Sequence, residues 1–199
     1  MDDNVSSPEI GDTAVEDIPS EAEIMSGIAD VHFSPSDHQR IKDLVNGEEM
    51  QHIKNHDRRY LIVGVGGETG AATRRMDVYD LLNDRNGAIS MRLEDFGLTP
   101  DEIELWNRVF DILCGRATHI VGVLEDFDGG YVWELGLLFA PSYRQKVWVL
   151  KRLYPDEQTE RDKFDNGMAA SHVKMLLTGN RCLEWRDEDE LYDAVSQLP

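Results

Sequence analysis

From residue 60 onward two hydrophobic rhythms alternate along this chain, short apolar runs and longer stretches with apolar residues at helical spacing. Tyr60-Leu61-Ile62-Val63-Gly64-Val65 is almost wholly apolar, the pattern of a central strand buried on both faces. A glycine-rich turn, Gly66-Gly67-Glu68-Thr69-Gly70, follows, and Met76, Val78 and Leu81-Leu82 then predict a helix over about 71–84. Ala88-Ile89-Ser90-Met91-Arg92-Leu93 predicts a short second strand. Thr99-Pro100-Asp101-Glu102 supplies a cap, a proline at the first helical position and an acidic first turn. The helix it opens has an expected buried stripe of Ile103, Trp106, Val109, Phe110 and Leu113. The apolar run Thr118–Leu124 is a third strand, a helix follows over about 131–141, and Lys146–Leu150 is a fourth strand. After a polar segment from Tyr154 to Asp165, a helix around 166–178 leads to a fifth strand at Arg181–Trp185 and a closing helix capped by Asp187.

Strands alternating with helices at this spacing predict βαβ units. The expected fold is α/β, a flavodoxin-like or Rossmann-like three-layer sandwich around a five-stranded, mostly parallel sheet over residues 58–199. Residues 1–34 are acidic, carry Pro8 and Pro19 and show no sustained period, which predicts a disordered acidic leader. Between the two, residues 35–57 predict one helix over about 36–55, with Ser36 and Gln39 as a capping pair and Ile41, Leu44, Val45 and Met50 at helical spacing.

Charge narrows the partners. The 199 residues hold 39 acidic against 20 basic side chains, a net charge of -19, which argues against non-specific binding to nucleic acid or an anionic membrane. Only 6 of the basic residues are lysine, and a surface so rich in carboxylate and poor in lysine is expected of a protein working in high salt, where screening removes self-repulsion. Cys114 and Cys182 lie far apart and form no CxxC pair, so neither a disulfide framework nor a zinc site is expected. His52 and His56 lie four apart but lack the glutamate of HExxH, and no metal or cofactor is expected. No apolar stretch approaches the length of a membrane span and the first residues are acidic, so a reducing cytoplasm is the expected location.

Two turns could carry chemistry. Gly64–Gly70 follows the first strand, where dinucleotide folds place a phosphate loop, but Thr69 stands where GxGxxG needs glycine and no Gly-Lys-Ser/Thr follows. It is left as a turn whose backbone N–H groups, at Gly66, Gly67 and Thr69, could meet a ribose or phosphate, with Thr73, Arg74 and Arg75 just downstream, or as a plain tight turn. The second turn is Asp126-Phe127-Asp128-Gly129-Gly130-Tyr131-Val132-Trp133-Glu134-Leu135-Gly136. Strand ends that feed helices line the ligand crevice of an open α/β sheet, so Asp126, Asp128 and Glu134 would converge there. A carboxylate beside an anomeric carbon can attack it, and a second one can hold the leaving base. The alternative is structural, with Asp128 as an N-cap and Glu134 paired on its helix. Gly130 would admit a ligand closely and Tyr131 is the stacking candidate.

The stretch from Thr118 to Leu150 resembles the core motif of the nucleoside 2-deoxyribosyltransferase-like family, with Asp128, Gly130, Glu134 and Gly136 matching position by position. The resemblance implies Glu134 as a nucleophile that forms a glycosyl-enzyme ester and Asp128 as a contact to the nucleobase. Tyr131 stands where that family often has threonine, and Gly66-Gly67 replaces its Gly-Pro turn. Neighbouring subunits can complete the site in that family, which leaves room for a homo-oligomer. The Val132–Leu137 segment also resembles TIR and TIR-like domains, whose corresponding glutamate cleaves the nicotinamide bond of NAD. The expectations are therefore an enzyme acting at the N-glycosidic bond of a nucleoside or nucleotide, a TIR-like NAD-cleaving effector, or a non-catalytic nucleotide sensor on the same fold.

Overall fold

Five strands form one all-parallel sheet in the order β2-β1-β3-β4-β5. They are β1 (Arg58–Gly64), β2 (Ala88–Met91), β3 (His119–Leu124), β4 (Val147–Arg152) and β5 (Cys182–Trp185). Helices on both faces complete a three-layer sandwich, and the strand order is that of flavodoxin-like folds. The computed structural model describes residues 33–128, 131–165 and 167–199, the side chains of Tyr131 and Trp133 apart. The expected leader at 1–34 lies outside the described residues except for its last two positions.

The helices are α1 (Pro35–Asn46), α2 (Glu48–Lys54), α3 (Gly70–Asn83), α4 (Ile103–Arg116), α5 (Tyr131–Leu138), α6 (Glu157–Lys163), α7 (Gly167–Thr178) and α8 (Glu188–Ser196). Single-turn 3₁₀ helices at Leu93–Phe96 and Pro100–Glu102 lie between β2 and α4. Strand parity divides the core. Tyr60, Ile62, Val121, Val123, Leu150 and Trp185 pack with Val78 and Leu82 of α3 and with Leu191, Ala194 and Val195 of α8. The alternate strand residues, among them Leu61, Val63, Ile120 and Val149, are equally buried and face the layer of α4, α5 and α7. Both faces are covered, which is why β1 and β3 read as continuous apolar runs.

The expected single helix at 36–55 is two helices. Gly47 is extended (φ −66°, ψ 164°), which ends the α1 ladder and starts α2. The capping box is Ser34 with Asp37 instead of Ser36 with Gln39, because Pro35 takes the first helical position and fixes the start one residue after Ser34. Arg40 of α1 joins Glu102 at 2.9 Å and donates to the Gly97 carbonyl at 3.2 Å, docking this helix beside the start of α4. The stripe expected for α4 is partly displaced. Val109, Phe110 and Leu113 are buried as expected, but Ile103 is 69% and Trp106 38% exposed, while Leu105 and Ile112 take the core side. The polar segment after β4 forms α6, capped by Asp156 through the Thr159 N–H at 2.8 Å.

Candidate functional site

Chain order reverses at β1: β2 lies on one side of it and β3 on the other, so the connections from β1 and β3 leave their carboxyl ends in opposite directions. A gap between loops opens at such a switch point. Here it is a cavity of about 570 Å³, a size that suits a small organic ligand. Its floor is the end of β1 and the first residues of the glycine turn, Ile62 to Gly66. Leu93, Leu98, Trp106 and Phe110 make an apolar wall, and Arg75, Glu94, Asp126, Asp128 and Glu134 bring charge.

The floor depends on glycine. Gly64 has φ +148°, and a Cβ there would lie 2.8 Å from the Val123 carbonyl oxygen of the neighbouring strand. A Cβ on Gly66 would lie 3.3 Å from a Glu94 carboxylate oxygen. Gly64→Ala therefore combines backbone strain with a clash against β3, and we expect a loss of about 1–3 kcal/mol, read from the urea midpoint. A midpoint equal to wild type would show that the β1 end relaxes freely.

Arg75 is 5% exposed and reaches the cavity from the first turns of α3. Its guanidinium grips Glu94 in a bidentate pair at 2.7 and 2.9 Å and donates to the Ile62 carbonyl at 3.2 Å. Burial raises the Glu94 value, but the hydrogen bonds and charge of Arg75 outweigh it and hold Glu94 below the ordinary carboxylate range. Asp126 accepts from the Asp128 N–H at 3.1 Å and from Lys163 Nζ at 3.2 Å. The Phe127 N–H donates to the Lys163 carbonyl at 2.8 Å and the Phe127 ring meets Phe164 edge-on, so the end of α6 braces this loop.

Glu134 sits in the first turn of α5 and lines the same cavity. Burial pushes its carboxyl up to about 7, and Glu94 adds to the rise while Arg75 opposes it. A carboxylate poised near neutrality in a cleft is what a reactive acid or base needs.

The structure brings Gly66, Asp126, Asp128 and Glu134 together around one cavity. Gly130 and the Tyr131 side chain lie outside what the structure describes. Gly67, Thr69 and Arg74 do not line it. Thr69 Oγ1 is engaged as the N-cap of α3, accepting from the Ala72 N–H at 3.2 Å. Arg74 points to the other side, where it pairs with Glu125 at 2.7 and 2.6 Å beside Arg152, which reaches the same carboxylate at 2.6 Å. Of the two arginines that follow the glycine turn, Arg75 reaches the cavity and Arg74 does not, and Glu94 after β2 joins Arg75 there. The signal for Glu94 was its place after β2, next to β1 at the switch point.

One protein-family model, described as a family of unknown function (DUF8170), matches residues 6–180. The chain belongs to the DUF8170 family. No curated protein and no solved structure matches it. All the cavity-lining residues, from Ile62 to Glu134, lie inside the span of the DUF8170 match. Among the described residues no group of histidine, cysteine and carboxylate side chains could hold a metal, and no helix is long and apolar enough to cross a membrane.

Proposed function

We propose that this protein is an enzyme that cleaves or transfers at the N-glycosidic bond of a nucleoside or nucleotide, with Glu134 as nucleophile. The observation that carries the reading is Glu134 itself, a carboxylate whose value burial lifts to about 7, on the wall of a cavity at the switch point of the sheet. The apolar lining residues Leu93, Leu98, Trp106 and Phe110 suit a flat base, and the carboxylates that share the cavity suit a sugar.

In this mechanism a Glu134 carboxylate oxygen attacks the anomeric carbon as the carbon–nitrogen bond breaks, and the bonding pair leaves with the base. Water, or the hydroxyl or ring nitrogen of an acceptor, then attacks the same carbon and releases Glu134. Asp128, exposed at the cavity rim, contacts the departing base. The attacking group must be ionised, so kcat/KM rises with pH through the free-enzyme value of about 7.

The test is incubation in concentrated salt with deoxynucleosides, ribonucleosides, nucleotides and NAD, followed by chromatography for free base. Wild type releases base from at least one of them and Glu134→Gln from none. Measurable binding with no base released from any compound would reject the enzyme and leave a nucleotide sensor. Release that persists undiminished in Glu134→Gln would remove the nucleophile assignment.

A further inference from the structure

The charges around the cavity pair off unevenly. Arg75 is matched by Glu94 at 2.7 Å and Lys163 by Asp126 at 3.2 Å. Asp128 and Glu134 then remain, with no cationic side chain paired to either among the described residues. Arg74, the nearest further guanidinium on α3, is held by Glu125 and does not line the cavity. The N-termini of α3 and α5 face this end of the sheet, and each contributes roughly half a positive charge. Arg75 and Lys163 act on Glu134 and Asp128 from a distance, but each is already paired, so with Glu134 ionised two carboxylates against two half charges leave the cavity negative, and a phosphate ester would add about two more negative charges to it.

We infer that the substrate of this site is a phosphate-free N-glycoside whose base carries a positive charge, of the quaternised pyridinium or alkylated purine class. The inference rests on the reading of Glu134 as the residue that attacks the sugar, and it narrows what is attacked. Three features of the cavity agree with it. Trp106 and Phe110 give the apolar wall a π-surface, and tryptophan is the strongest aromatic partner for a cation. A cationic base also leaves as a neutral molecule, because the bonding pair goes to the ring nitrogen and cancels its charge, so no proton need be delivered. This suits a site in which Arg75 keeps Glu94 ionised and unable to act as the acid. Finally, a cation entering beside Glu134 favours its ionised form, so the substrate itself drives off the proton that would block attack.

The experiment uses the full chain and three probes of nearly equal shape: nicotinamide riboside, its neutral 1,4-dihydro form, and its 5′-phosphate. Calorimetry is done at pH 7 in two buffers of different ionisation enthalpy, close to the Glu134 midpoint of about 7. Nicotinamide riboside is expected to bind about ten-fold or more tighter than either of the others, as removing a favourable charge or adding a repelled one requires. Its binding heat depends on buffer because protons are released, and Asp128→Asn, which removes one of the two uncompensated charges, shrinks the preference. Equal or tighter binding of the dihydro form or of the 5′-phosphate, or no binding of nicotinamide riboside at millimolar concentration, overturns the inference. The outcomes keep the two ideas apart. Base released from neutral nucleosides with no preference for the cation sinks the charge inference and leaves the glycosidic reading standing. A cation preference with no base released from any probe does the reverse.

Discussion

Glu134→Gln abolishes base release and at the same time makes the protein harder to unfold above neutral pH. The first effect follows from losing the attacking group, which in enzymes with a covalent intermediate costs on the order of 10⁴-fold or more in kcat. The second follows from where the carboxylate sits. Its folded-state value of about 7 lies above the ordinary 4.5, so folding takes up a proton at intermediate pH. The resulting stability is fully present below about 4.5 and disappears as pH rises through about 7. A shift of that size corresponds to roughly 3 kcal/mol, and partial solvent contact trims it to about 2. The neutral amide never meets this cost, so the variant gains about 2 kcal/mol over wild type at pH 8 and little at pH 4. His119 and His172, whose values burial lowers, add the same pH dependence to both proteins, so the difference between the two urea midpoints isolates Glu134. A variant no more stable than wild type at pH 8 would show that Glu134 is well solvated, and would undercut its place in the mechanism as well.

A group kept at an unstable position is expected where chemistry is done, and it explains which parts of the site could be read from sequence. The sheet was legible because β1 and β3 are apolar runs too short for helices, and the alternation with amphipathic stretches left few topologies. Asp128 and Glu134 were legible because they follow a buried strand by a fixed short distance, and the end of that strand could be located. Arg74 and Arg75 were not separable. Neighbours on a helix point about 100° apart, so Arg75 reaches the cavity while Arg74 turns toward Glu125 and Trp185, and a glycine-rich entry turn hides the phase that decides which. Trp106 was read as core from its helical spacing, but it lines the cavity at the switch point, a space that a local window cannot locate. Glu94 needed a different kind of knowledge, that β2 borders β1 and not β3, and strand order is a long-range property no local window contains. Gly47 looked like one weak helix residue; its conformation, set by how α1 and α2 pack, split the helix.

Glu125 carries the largest stability effect expected from a single side chain near the site. It follows β3 directly, is 5% exposed, and accepts from Arg74 of α3 and Arg152 at the end of β4 at 2.6 to 2.7 Å. Burial works against the ionised carboxylate, but the two guanidinium groups outweigh it and keep Glu125 below its ordinary value. Glu125→Ala leaves Arg152 partly buried without its carboxylate and Arg74 with only the exposed Glu188 at 4.0 Å, and removing one partner from such a cluster costs about 3–5 kcal/mol. The denaturant midpoint should drop accordingly, and salt should not restore it, because screening acts poorly on buried charge. Replacing all three residues together with apolar side chains recovers much of the loss, since it is the stranded arginines and not the absent pair that destabilise the fold. The dependence on pH runs opposite to that of Glu134. The folded value is lowered, so the contribution is present above about 4.5 and lost as pH falls below it, and wild type loses its advantage over Glu125→Ala in acid. Because Asp126 and Asp128 are the next residues along the same loop, the variant should also weaken ligand binding at temperatures where it is still folded. If Glu125→Ala stays within about 1 kcal/mol of wild type at neutral pH, the two arginines have found water, and the loop is held by Phe127 and Lys163 at α6 and by the Tyr154 hydroxyl on the carbonyl of residue 125.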